Sequence, residues 1–155
     1  MVGLWLMLPE HLDPDTKQPV CFTTATSART ATHAAAELLG LAAEILTPQP
    51  GEILVMADLE HFSAELFDHV RRDTPFELLV PMKNQPPLRK QLAAVPPEAF
   101  TRRWAGFATA KQPYQFTHGK TGPFFQFIHR SGERPTEYRR MLRACGNTTR
   151  TCPTA

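Results

Sequence analysis

Residues 53–82 read ILVMADLEHFSAELFDHVRRDTPFELLVPM, and this stretch decides the fold. Residues 53–57 are a short unbroken apolar run ending at Asp58. A run of this length between turn signals fits a strand buried on both faces. Ser63 is placed to cap a helix, with Glu65 in its first turn and Arg71 and Arg72 in its last. Leu66, Phe67 and Val70 give that helix one apolar face. Asp73-Thr74-Pro75 is a turn, and residues 76–80 read as a second strand. Strand, helix and strand at this spacing predict a right-handed βαβ unit. The first strand is expected at the centre of a sheet, between residues 18–26 and 76–80. The helices 28–46 and 64–72 should pack on it. A structure with residues 53–57 helical, or lying at an exposed edge, would end the fold reading built on this segment.

Working outward, residues 18–26 (QPVCFTTAT) are rich in Val, Phe and Thr and read as a strand. Ala31, Ala35, Leu38, Leu39, Ala42, Ile45 and Leu46 recur at helical spacing, and Pro48-Gln49-Pro50-Gly51 ends that helix. On the other side, residues 81–87 read as a loop and 88–95 as a short helix stopped by Pro96-Pro97. Residues 102–110, 114–118 and 124–130 read as short antiparallel strands. From Ser131 onward the chain is polar and basic without clear period, so 131–155 reads as a disordered tail.

Composition bounds the classes of function. The 155 residues are room for one domain, and 42% hydrophobic with 21% charged is a globular balance. No apolar run approaches the ~18 residues of a spanning helix, and the apolar start lacks the basic flank of a signal peptide. Fifteen prolines rule out a long-helix bundle. A net charge of +2 implies no nucleic-acid partner by itself, although local basic clusters matter more than the total. Cys21, Cys145 and Cys152 make no closed disulfide framework and read as reduced thiols of a cytoplasmic chain.

Asp58 is the leading candidate for chemistry. A carboxylate directly after a buried parallel strand sits where open α/β sheets collect ligands, and it suits a hard cation such as Mg²⁺. Its structural alternative is a cap on the following turn. Glu60, His61, Glu65, Asp68 and His69 crowd the same region, but Ser63 as N-cap leaves His61 outside the helix and no H-E-x-x-H spacing occurs. These five read as a solvated face. Nucleophile elbow and Walker A patterns are absent from the sequence. Basic residues gather at Lys83 with Arg89 and Lys90, at Arg102 and Arg103 beside Trp104, and at Arg139, Arg140 and Arg143. Phe107, Tyr114, Phe116, Phe124, Phe125 and Phe127 alternate in a way that favours core over a base-stacking platform.

The segment 53–82 resembles the DDE transposases of bacterial insertion sequences. In that family a buried strand ends in the second catalytic Asp and a helix beginning S-x-E-L follows. Here Asp58 matches the Asp, and Ser63-Ala64-Glu65-Leu66 matches the helix start. Residues 14–29 are similar to the strand before the family's first long helix. The resemblance covers roughly residues 12–130. It implies an RNase H-like α/β fold: a partial mixed sheet with flanking helices (12–95) and an inserted antiparallel β region (96–130). It also implies DNA transposition by metal-dependent phosphoryl transfer. Two Mg²⁺ ions roughly 3.5–4 Å apart would activate the attacking oxygen and stabilise the leaving one. Asp58 would be a metal ligand, and Lys83, Arg89, Lys90, Arg102 and Arg103 would meet DNA.

The chain departs from that pattern at both ends. Residues 1–8 hold no acidic residue where the first Asp belongs, and Asp13 and Asp15 lie in a turn. Glu133 and Glu137 are divided by Pro135 where the final Glu belongs. We therefore expect a single incomplete domain, an inactive piece of a transposase catalytic domain. Two other outcomes stand beside it: a non-catalytic DNA-binding remnant, and a small α/β protein-binding module.

Overall fold

The computed structural model describes residues 2–6, 18–24, 26, 28, 30–83, 92–104, 107–131 and 138–144. They form a mixed α/β fold of eight strands and two helices. Strands β1 (Val2–Leu6) and β2 (Gln18–Thr23) pair antiparallel as a separate two-stranded sheet. Helix α1 (Ala31–Leu46) follows, its first turn closed by the Thr30 hydroxyl accepting from the His33 N–H. Ala34, Leu38, Leu39 and Ala42 are its buried stripe, as the 3.6-residue spacing requires.

Strand β3 (Leu54–Met56), helix α2 (Ala64–Asp73) and strand β4 (Glu77–Pro81) form the expected β-α-β unit, with β3 and β4 parallel. The Ser63 side chain accepts from the Leu66 N–H and caps α2. Four antiparallel strands then extend the sheet: β5 (Arg102–Trp104), β6 (Phe107–Tyr114), β7 (Phe124–Ser131) and β8 (Tyr138–Ala144). The order across it is β3-β4-β8-β7-β6-β5.

One face of the six-stranded sheet carries the core. Leu66, Phe67 and Val70 of α2 pack on Leu78, Val80, Phe124, Leu142 and Ala144, all nearly inaccessible. Each such side chain contributes about 1.5–3 kcal/mol by leaving water. Phe62, Phe67, Tyr114, Phe116 and Phe124 form one aromatic cluster, with ring centroids 5.2–6.4 Å apart. A smaller cluster of Leu92, Val95, Phe100, Ala110 and Ile128 continues on the same face beneath β6 and β7.

Four expectations are corrected. Strand β3 is not central: it pairs with β4 alone and ends the sheet, leaving Leu54 45% and Met56 66% exposed. Strand β2, expected beside it, pairs with β1 instead. The exposed-edge position of β3 is the outcome that ends the RNase H-like reading; the described residues show a mixed α/β sheet. Residues 131–155 are not a tail throughout, because β8 lies between β4 and β7 with Leu142 fully buried. The antiparallel strands are therefore joined to the β-α-β unit in one sheet rather than set apart. Residues 115–118, expected in a strand, belong to the β6–β7 connection, from which Phe116 packs against the core. Of the helix expected at 88–95, residues 84–91 lie outside the described part, and Leu92 and Ala93 are helical.

Candidate functional site

The carboxyl end of β3 carries the candidate site. Its backbone is still held there, since the Ala57 N–H donates to the Leu79 carbonyl at 3.1 Å. Asp58 then leaves the strand in an extended conformation and caps the 3-10 turn Leu59–His61. Its Oδ1 accepts from the Glu60 N–H at 3.1 Å and lies 2.7 Å from His61 Nδ1. An ionised carboxylate only accepts, so Nδ1 is the protonated ring atom in this contact. The hydrogen bond from His61 holds the Asp58 carboxyl below the usual carboxylate range; slight desolvation opposes it and the Glu60 N–H assists. The Asp58 side chain is 69% exposed and His61 16%. Capping, the structural alternative, is thus realised, with the described hydrogen bonds of the carboxylate gathered on Oδ1.

A pocket of about 210 Å³ opens beside Asp58. Val55 to Asp58 line it, with Gly3 of β1, Leu38 and Leu39 of α1, and His61. Leu66 of α2 and Leu78 of β4 complete its wall, so the cavity lies on the core face of the sheet, among β1, β3, β4, α1 and α2.

The acidic and histidine residues around Asp58 do not converge. His69 binds Asp73 at 3.0 Å, and Glu60 and Glu65 are exposed. Among the described residues no three His, Cys, Asp or Glu side chains are placed to share a metal ion. One carboxylate, with one oxygen already engaged, does not fit a two-ion centre, so no catalytic step is derived through Mg²⁺ here. Asp13, Asp15, Glu133 and Glu137 lie outside the described residues.

Asp68 corrects the solvated-face expectation. It is 5% exposed and fixes the β6–β7 connection to α2. Its Oδ2 accepts from the Lys120 N–H at 2.7 Å, and its Oδ1 from the Thr121 N–H and hydroxyl at 2.8 and 2.6 Å. Burial pushes this carboxyl up, but the Thr121 hydroxyl, the two N–H donors and nearby Arg72 together bring it below its ordinary value. Beside it, Arg71 Nη1 donates to the Pro123 carbonyl at 2.9 Å. Gly122 has φ 138°, and a Cβ there would run into the Gln115 side chain.

The expected DNA contacts are scattered. Lys83 is exposed just past β4, and its carbonyl accepts from Arg140 Nη2 at 2.6 Å. Arg89 and Lys90 lie outside the described residues; Arg102 and Arg103 are on the edge strand β5, their side chains outside the description. Arg140 is not a surface charge. It is 5% exposed, also bonds Gln126 Oε1 at 3.3 Å, and its pKa is lowered by desolvation. No family model, curated protein or solved structure matches the chain. No helix among the described residues is long and apolar enough to cross a membrane.

Proposed function

We propose that the chain is related to catalytic domains of the DDE transposase kind, without the RNase H-like sheet which that resemblance implies. Asp58 is its one recognisable metal-centre carboxylate, and the chain by itself neither cuts nor joins DNA. The observation that carries this is the exposed carboxylate of Asp58 at the carboxyl end of the parallel strand β3, the edge at which open α/β sheets collect ligands. Further support comes from the order of elements: a long helix, then the strand with its Asp, a capped S-x-E-L helix and a parallel strand.

The test is plasmid nicking and strand joining with Mg²⁺ or Mn²⁺, comparing the chain with Asp58→Asn. No cleavage above the variant's background is expected. Cleavage by the chain and not by the variant would mean that Asp13, Asp15, Glu133 or Glu137 completes the site.

A further inference from the structure

The second face of the six-stranded sheet has a chemistry that the Asp58 site does not use. Strand register assigns it. His129 pairs Thr109 and Arg139, Phe127 pairs Lys111 and Met141, and Phe125 pairs Arg143. Paired residues share a face, and alternate residues of a strand point the same way. The neighbours Phe124, Ile128, Leu142 and Ala110 point into the two hydrophobic clusters. Phe107, Phe125, Phe127 and Met141 belong to neither and are half-buried, so the core position expected for these rings holds for Phe124, Tyr114 and Phe116 but not for Phe107, Phe125 and Phe127.

The charge on this face is one-sided. Lys111, Arg139 and Arg143 are its described cations. Its described carboxylate is Glu77, already bonded by Arg143. The cations stand beside the rings: Lys111 Nζ is 4.2 Å from the Phe125 centroid, and the Arg139 guanidinium is 5.4 Å from that of Phe107. Burial holds the His129 pKa down, with Arg139 adding to it, so the ring hydrogen-bonded to Thr109 at 2.9 Å adds no charge at neutral pH. An acidic amphipathic helix would match the cations but would leave a row of flat rings without a flat partner. Single-stranded nucleic acid matches both, because its phosphates seek the cations while unstacked bases seek aromatic faces. Duplex DNA keeps its bases stacked and offers phosphates alone.

We propose that this second sheet face is a platform for single-stranded nucleic acid. Bases stack on Phe127, Phe125 and Phe107, and phosphates pair with Lys111 and Arg139. A base reaching Phe125 displaces the Lys111 ammonium from the ring and brings it a phosphate in exchange. The proposal deepens the DNA reading above by naming the form of the strand, but it uses neither Asp58 nor a metal ion.

The experiment is fluorescence anisotropy of the full chain with a labelled oligothymidylate of about 16 nucleotides, within the range one binding module covers. The same length of duplex and poly-L-glutamate serve as comparisons, across a salt series. The single strand is expected to bind at least tenfold tighter than either. Phe127→Leu, which keeps the apolar volume and the fold, should weaken it about five- to a hundred-fold, the range of one lost base stack. Lys111→Gln with Arg139→Gln should lower the salt slope by about 0.7 per lost contact. Equal affinity for duplex or polyglutamate, or an unchanged affinity in Phe127→Leu, overturns the platform. Glu44→Gln, an exposed change on α1, must bind the strand as the unaltered chain does, and its failure to do so also overturns the platform, whereas failure of the Asp58 reading in the plasmid assay leaves this binding intact.

Discussion

Thr121 closes both its N–H and its hydroxyl onto the same oxygen of Asp68, at 2.8 and 2.6 Å, across 53 residues of chain. With Lys120 on the second oxygen, one buried carboxylate ties the β6–β7 connection to α2 and so holds the antiparallel strands against the β-α-β unit. Replacing it strands three donors. Asp68→Asn turns an amide NH₂ toward one of them and removes the charge. We expect a loss of about 2–3 kcal/mol, read from urea unfolding.

The same carboxylate sets an acid limit. Its pKa in the folded chain lies below the unfolded value of about 4. The stabilisation is therefore complete above about pH 4 and disappears as pH falls through the folded value. Melting temperature measured from pH 6 down to pH 2 should drop more steeply in the unaltered chain than in Asp68→Asn. Parallel curves would contradict the assignment.

Phe67 is fully buried and touches the rings of Phe62, Phe116 and Phe124. Phe67→Ala should cost about 3–5 kcal/mol by denaturant titration, the range for emptying an aromatic core site. Ser63→Ala, which removes the cap of α2, should cost about 1 kcal/mol.

Strand β3 leaves an apolar, uncharged edge, with Leu54 and Met56 largely open to water. Such edges pair with other chains. Met56→Lys should fold as before and reduce concentration-dependent self-association in sedimentation velocity. Unchanged association would mean that this edge is not the contact.

Much of the β-α-β unit was legible because its apolar periods are clean and its caps carry the expected residues, Ser63 above all. Strand β8 was not. Its buried row, Arg140-Leu142-Ala144, begins with a charged residue, and Arg139 and Arg143 make the segment look like solvated chain. Local pattern cannot reveal that Lys83 and Gln126 wait to receive the Arg140 guanidinium. Phe116 misled in the opposite sense: an aromatic beside Tyr114 reads as strand, yet it enters the core from a loop. Asp58 was legible as a residue at a strand end, but its edge position was not, since an apolar run tells nothing of which strands come to lie beside it. Asp68 looked like any polar helix residue, because its partners lie 52 and 53 positions away.

The central claim is that Asp58 is a metal-centre carboxylate and more than a cap. Asn caps as well as Asp, so Asp58→Asn should change stability by no more than about 0.5 kcal/mol. It should, however, remove cation binding. The direct measurement is Mn²⁺ titration of the ¹⁵N-labelled chain, following paramagnetic broadening of its amide signals. Weak binding should broaden the amides of Ala57, Asp58, Leu59 and Glu60 first, and Asp58→Asn should abolish this. Broadening that spares these residues, or that persists in the variant, would reduce Asp58 to a turn cap and contradict the account.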